Sequence, residues 1–185
     1  MNAENQQERL LQNEEFRWFL AGLIEGEGSL CVSFKENSSA RFGFYVDVEF
    51  FIYQHENSKE LLEMAREYFR AGDIVPKVGN EKVLVYRILS RRSIMEKVIP
   101  FYERYMRYAS DAKRRNFQQF KAVTIAIEQK EHQTPEGMIK IVHLAYSLNH
   151  AGKQRKRPKE QLISRILRDY TPNSEINPKI TSEKI

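Results

Sequence analysis

Residues 16–29 read FRWFLAGLIEGEGS, an apolar run whose only strong charge before its end is Arg17 and which closes on two carboxylates interleaved with glycines. A helix from Phe16 to Ile24 is apolar nearly all round, so it needs cover on more than one side. Phe16, Phe19, Leu20 and Leu23 recur at the spacing of one helical face, while Trp18, Gly22 and Gly26 fall on another. Glycine inside a helix costs about 1 kcal/mol relative to alanine unless a close backbone approach offsets it. Gly22 and Gly26, one turn apart, therefore point to a tight contact with another helix. Glu25 and Glu27 fall where this helix must end, at its negative pole, which disfavours anions by about 0.3–1 kcal/mol. A cation should offset them. Free carbonyls of a helix terminus beside a carboxylate form an all-oxygen donor set, which suits hard divalent cations. The pattern favours a metal site over two merely solvated glutamates.

Composition sets the outer limits. With 185 residues, 41% of them hydrophobic, the chain suits one globular domain with its own core. Thirty basic against 25 acidic residues leave a net charge of +5, which fits a polyanionic partner without demanding one. One cysteine, Cys31, excludes an internal disulfide framework, and no apolar run approaches the roughly 20 residues that span a bilayer. The opening segment MNAENQQERLLQNEE is polar and acid-containing, unlike a secretory or organellar targeting peptide. The expectation is an intracellular, soluble protein without a membrane partner, in the cytoplasm or in an organelle matrix if its gene is organellar. His55, His132, His143 and His150 lack cysteine partners, and no Gly-rich phosphate loop, nucleophile elbow or HExxH motif occurs. Nucleotide hydrolysis and zinc proteolysis are excluded, and no small-molecule substrate is indicated.

Along the chain, Ser29–Lys35 alternates Leu30, Val32 and Phe34 against polar residues, the pattern of a half-buried strand, and residues 36–40 form a polar loop. A longer strand is predicted over Phe42–Tyr53, with Val46, Val48, Phe50 and Ile52 on one face and Tyr45, Asp47, Glu49 and Phe51 on the other. Asn57 and Glu60 predict a capping box for a helix that Gly72 ends. Asp73–Val78 and Lys82–Leu89 form a second hairpin around Gly79-Asn80-Glu81, and its alternation leaves open which side faces the core. Ser93 and Glu96 predict the next helix start, and Ser110 the start of another with Phe117, Phe120, Val123 or Thr124 and Ile127 on one side. Lys113–Arg115 lie in its first turn, where cations oppose the dipole: they are either solvated or answer a nearby anion. Thr134-Pro135 opens a further helix, to about His150.

LAGLIEGEGS at Leu20–Ser29 resembles the signature motif of the LAGLIDADG homing endonucleases. The two glycines, the alanine before the first of them, the aliphatic pair and the alternating acid-glycine ending all match. Glutamate stands where many members have aspartate, which keeps the charge and lengthens the arm by one methylene. The resemblance implies an α+β, αββαββα LAGLIDADG fold over residues 14–130, in which a four-stranded antiparallel DNA-binding saddle is followed by extra C-terminal helices. The element order read from the residues agrees with it. One motif, with no second copy downstream, resembles the single-motif branch, a homodimer whose signature helices meet through Trp18, Gly22 and Gly26.

The implied activity is site-specific cutting of both strands of a long, near-palindromic double-stranded DNA site for intron mobility, by Mg²⁺-dependent phosphodiester hydrolysis. Glu27 is the implied catalytic and metal-binding carboxylate, joined at the metal by the Gly26 carbonyl, with Gln54 and Lys113 at polar positions around the water. Ca²⁺ can bind such a site without supporting cleavage. The implied DNA-binding residues are Ser33, Lys35, Asn37, Tyr45, Asp47, Glu49 and Phe51 on the first hairpin and Lys77, Tyr86 and Arg87 on the second. A face mixed in charge suits the reading of base edges, where Asp and Glu accept from cytosine. The alternative is a group I intron RNA maturase or a non-cutting DNA-binding relative; the intact Glu27 argues against loss of cutting. Outside 14–130 the expectation is an N-terminal arm at 1–13, a helical extension at 131–170 and a mobile tail at 171–185. Within the extension, KQRKRPK at 153–159 is either a solvated linker or a phosphate-contacting arm.

Overall fold

The computed structural model describes residues 13–148 and 157–168. The expected arm apart from Asn13, residues 153–156 of the basic segment and the expected tail lie outside the described residues. Asn13 Oδ1 accepts the Glu15 amide at 3.0 Å and starts α1, Glu14–Glu27. This helix runs straight into β1, Gly28–Glu36, without a loop. A Cβ at Gly28 would come within 2.5 Å of the Ile24 carbonyl oxygen, so the last glycine of the motif is what allows so abrupt a junction.

β1 pairs antiparallel with β2, Phe44–His55, and β2 pairs in turn with β4, Asn80–Ile88. β3, Asp73–Lys77, closes the order β1-β2-β4-β3 as an edge strand, where Pro76 can omit a ladder donor and a bulge follows it. Between the hairpins lies α2, Lys59–Phe69. After the sheet, one turn at Arg91–Ser93 and a π turn at Ile94–Val98 lead into α3, Ile99–Tyr105. Then follow α4, Asp111–Glu128; α5, Pro135–Ser147; and α6, Lys159–Arg168. The order through α4 is the expected αββαββα pattern, with additional C-terminal helices.

Strand alternation decides which face is covered. Leu30, Val32, Val48, Phe50, Ile52, Tyr86 and Ile88 point beneath the helices and join Leu20, Ile24, Leu62, Phe69, Phe101, Tyr102 and Phe120 in the main core. Phe50 sits at its centre, with its ring edge-on to Phe69 (5.7 Å), Tyr102 (6.2 Å) and Tyr86 (6.4 Å). Tyr102 in turn stacks on Phe117 at 4.9 Å, which fixes α4 to α3. A second, smaller core joins Phe42 and Phe44 to Met138, Val142, Leu162 and Ile166, so α5 and α6 pack on the far end of the first hairpin.

Several local expectations are corrected. Phe19 does not belong to the core face of α1: the helix buries Phe16, Leu20, Ala21 and Ile24, and Phe19 is 51% exposed. No Asn57–Glu60 capping box forms, because the His55 imidazole Nδ1 accepts the Asn57 amide and closes a 3-10 turn over Glu56–Ser58 before α2 begins. Ser90 rather than Ser93 caps the next helical stretch, accepting the Ser93 amide at 3.3 Å. Ser110 and Thr134 do cap α4 and α5, through the amides of Lys113 and Gly137. No helix among the described residues is long and apolar enough to cross a membrane.

The parity of the second hairpin, open in the sequence, is settled by Tyr86. Its side chain is wholly buried and its hydroxyl donates to the Ala71 carbonyl at 2.7 Å, which removes Tyr86 from the expected DNA-facing set. Burial raises its phenol pKa well above the usual value. Tyr86→Phe leaves that carbonyl short of a donor and should lower unfolding stability by about 0.5–1.5 kcal/mol in urea titrations. No loss would show the hydroxyl to be dispensable.

Candidate functional site

The last turn of α1 brings the two motif glutamates to different fates. Glu25 turns inward: its Oε1 accepts the Ser110 amide at 3.2 Å, and its Oε2 is buried with no hydrogen-bonding partner among the described residues. Glu27 is exposed, at the junction with β1. Around Glu25 a cleft of about 200 Å³ is lined by Gly28, Ser29, Ser110, Lys113 and Asn116.

The cation that the pole of α1 demands is Lys113. From the first turn of α4 its ammonium donates to Gly28 O at 2.7 Å and to Ile24 O at 3.0 Å, bridging the helix end and the strand start. Burial lowers its pKa below the ordinary lysine value, and the charges of Glu25 and Glu27 partly oppose that shift. Lys113 is thus not a solvated member of a charge run. Its neighbour Arg114 is occupied elsewhere, donating to Asp111 and to the carbonyls of Arg107 and Ala109.

Gln54 lies near the same place by register. The β1–β2 ladder ends at Gly28 and Ile52, and Gln54 lies two residues beyond Ile52 on the same face of β2, at the end of the ladder where α1 enters β1. It is half-buried and makes no side-chain hydrogen bond among the described residues. Ser110, read in the sequence only as a helix start, and Asn116, not singled out there, complete the surroundings. Asn116 had a readable signal, lying three residues after Lys113 on the same helical face.

The glycine face of α1 is open. A Cβ at Gly22 or Gly26 would meet nothing within 4 Å, and Phe19 shares their exposed side. The tight helix contact expected there is therefore not made among the described residues. Trp18 borders this face but is half-covered by its own chain, edge-on to Tyr105 at 5.3 Å and beneath the Arg107 guanidinium at 4.7 Å.

The sheet face turned away from the helices carries most of the remaining expected residues. Cross-strand pairing puts Ser33 beside Asp47, Cys31 beside Glu49, Lys35 beside Tyr45, and Phe51 beside Arg87 on one surface. Tyr53 and Asp73 join them, unforeseen; the Lys77 ammonium lies 5.5 Å from the Tyr53 ring centre. Lys35 reaches Asp47 at 2.7 Å and Glu49 at 2.9 Å. Burial works to lower its pKa, but the hydrogen bonds to Asp47 and Glu49 outweigh it and the net shift is upward. Arg87 grips Asp73 with two nitrogens, at 2.9–3.2 Å, and holds its carboxyl below the usual range. This surface is therefore a pattern of paired charges, aromatic rings and hydroxyls rather than a uniform basic patch. Asn37 lies beyond it, exposed in the β1–β2 loop.

Among the described residues no three His, Cys, Asp or Glu side chains cluster closely enough to form a metal cage. What one chain offers is an exposed carboxylate and main-chain carbonyls at a helix end.

A helix closing on two glutamates, a helix-covered antiparallel sheet and an open outer face define a class that comparison with known proteins identifies. The family model described as LAGLIDADG endonuclease matches residues 20–124. The chain belongs to that family. It is 40% identical over 126 residues to DNA endonuclease I-CeuI of Chlamydomonas moewusii, covering 68% of this chain and 58% of that protein. It therefore spans less than two thirds of the length of this relative. Homing endonuclease I-ApeII of Aeropyrum pernix is 29% identical over 152 residues, covering 80% of this chain and 88% of that one. The solved structure of group I intron-encoded homing endonuclease I-CeuI complexed with DNA matches with a TM-score of 0.78 at 34% identity, over 83% of this chain and 77% of that one. Archaeal intron-encoded homing endonuclease I-Vdi141I complexed with DNA matches at 0.76 and 28%, over 85% and 98%.

The Arg87–Asp73 pair gives this surface a measurable pH signature. A carboxyl whose folded pKa is depressed contributes stability above its unfolded pKa, near 3.9, and loses it as pH falls through the lower folded value. In an NMR titration Asp73 should titrate below the ordinary carboxylate range, and Arg87→Ala should move it back up. An unmoved midpoint would show that the bidentate pair does not set it.

Proposed function

We propose that this chain is a site-specific homing endonuclease that cuts both strands of a long, near-palindromic DNA site as a homodimer. The observation that carries the reading is the exposed Glu27 carboxylate, the last residue of α1, directly after Gly26 and beside a helix terminus that Lys113 holds from within. Two of the similar structures are complexes of homing endonucleases with DNA, which supports the substrate class.

One chain supplies one motif helix, one exposed carboxylate and one sheet face. A second copy meeting the first across Gly22 and Gly26 would bring two Glu27 residues together, one for each strand, and would cover the exposed Phe19. The outer sheet face would lie along the duplex. Its pairs of opposite charge leave main-chain geometry, hydroxyls and aromatic edges to meet the bases, and exchange of Lys35 or Arg87 from its carboxylate partner to a base would supply direct readout.

Glu27 and the Gly26 carbonyl fit a hard divalent cation, Mg²⁺ in our reading, with Ca²⁺ as a binder that does not support cutting. Such an ion would activate water and stabilise the leaving oxygen at the scissile phosphate. The protein's own part is positional. Lys113 fixes the carbonyls that frame Glu27 and adds positive charge near the phosphate, and Gln54 offers an amide to orient water from the adjoining strand.

Cleavage selection on a randomised near-palindromic library, with Mg²⁺ present, tests activity, target length and symmetry together. Glu27→Gln should abolish cutting while specific binding stays within several-fold, since the lost group would hold metal rather than DNA. Glu25→Gln should be milder, because a glutamine Oε1 can still accept the Ser110 amide. A reversed ranking would mean the two acids have exchanged roles.

Gly22→Leu should weaken the dimer by wedging the paired helices apart, an overpacking cost of about 1–3 kcal/mol. A Cβ at Gly22 meets nothing within 4 Å among the described residues, so light scattering should register the change without a drop in unfolding stability. Unaltered dimerisation would place the subunit contact elsewhere.

A further inference from the structure

The far end of the first hairpin is braced in a way that cutting alone does not explain. β1 runs from Gly28, next to Glu27, to Glu36, roughly 26 Å at the usual rise per residue. On a duplex lying along the sheet that is roughly eight base pairs from the cut, at 3.4 Å each. There the chain turns through residues 37–43, whose Asn37, Ser38, Ser39 and Arg41 are exposed. The turn is closed on itself. Asn37 N donates to Gly43 O (3.0 Å), Ala40 N to Asn37 O (3.0 Å), Gly43 N to Ala40 O (2.8 Å) and Ser39 N to Asn37 Oδ1 (2.9 Å).

It is also clamped from the C-terminal helices. Arg165 on α6 sends Nη1 to both carboxylate oxygens of Glu36 (2.9 and 3.0 Å) and Nη2 to Gly43 O (3.1 Å), and its guanidinium lies 5.8 Å from the Phe44 ring centre. Gly43 has φ +71, and a Cβ there would collide with the Arg165 guanidinium, so the glycine serves both the turn and the clamp. Arg157, the first described residue of the basic segment, adds a second cation to Glu36 at 2.9 Å. On the opposite side of the loop Arg41 donates to the Gln133 carbonyl, and Phe42 anchors the loop base in the second core.

A single guanidinium joins both ends of the loop, with Nη1 shared between the two Glu36 oxygens and Nη2 on the Gly43 carbonyl, so one rigid planar fork fixes the spacing of the two ends through charge-assisted hydrogen bonds. We propose that Arg165 is a positioning residue for DNA specificity: through Glu36 and Gly43 it presents the loop tip to the outer base pairs of each half-site. This rests on the DNA-cutting reading above. The C-terminal helices then serve target discrimination, and Arg157 acts with Glu36 rather than as part of a phosphate-contacting arm.

The test compares the full-length protein with Arg165→Met and Arg165→Lys on a library randomised separately at the central and the outer positions. Lysine keeps the charge and the aliphatic stem but cannot make the three-way contact, so it serves if methionine unfolds the chain. The expected result is a loss of discrimination of about tenfold at the outer positions, within the range of one mismatched base pair. Central discrimination and the single-turnover rate at saturating protein should change by less than about twofold. Amide exchange at Ala40 and Gly43, measured without DNA, should quicken in both variants.

Unchanged exchange together with an unchanged outer profile would overturn the clamp while leaving the endonuclease reading intact. Equal loss at every position would also overturn it, by showing only a general weakening of binding. If the unmodified protein cuts no member of the library, both readings fall, whatever the loop amides do.

Discussion

The C-terminus of α1 gathers free carbonyl oxygens and two glutamates within a few residues, and the Lys113 ammonium is what makes that crowding tenable. Bound to Ile24 O and Gly28 O, it ties the end of the helix to the first residue of β1 and to the start of α4. Glu25 returns the tie by accepting the Ser110 amide, so each helix end caps the other. The result is a junction with little freedom, on which Glu27 is the one motif acid left facing outward. A helix terminus that would repel a carboxylate thus has its compensating charge held behind it, in the Lys113 ammonium.

The sheet extends from this junction, and its two faces divide the labour. Beneath it, Phe50 and Tyr86 with their ring neighbours give a rigid aromatic floor. Above it, polar side chains are held in cross-strand pairs, with Lys35 between Asp47 and Glu49 and Arg87 on Asp73. Under the proposed function, paired charges of this kind would resist non-specific attraction to a polyanion and would exchange partners when a complementary base edge arrives. A net charge of +5 over 185 residues accords with such restraint.

The motif run 16–29, the strand alternations and the caps at Ser110 and Thr134 could be read directly, because each is a local matter of period or of a side chain meeting its own backbone. The order αββαββα followed from them, and the family from the likeness of the motif at Leu20–Ser29 to its signature. Errors were confined to places where several local solutions compete. Phe19 fits a core-face spacing as well as Phe16 does, and only the packing of α1 on the sheet and α3 shows that Phe19 lies outside it. Asn57 and Glu60 carry a capping signature, but His55 reaches the Asn57 amide first.

What the sequence alone could not determine was whatever depended on residues far apart in the chain. Tyr86 and Arg87 are equally suited to either face of a strand, and the register of β4 on β2 assigned one to the core and the other to the open surface. Lys113 looked misplaced at a helix N-terminus until folding brought it against a helix C-terminus 85 residues earlier. Arg165 and Glu36, 129 residues apart, gave no local sign of pairing. Period and propensity act over a few residues and so decide elements; the partner of a buried or half-buried charge is chosen only when the elements pack, because only then does desolvation make the choice matter.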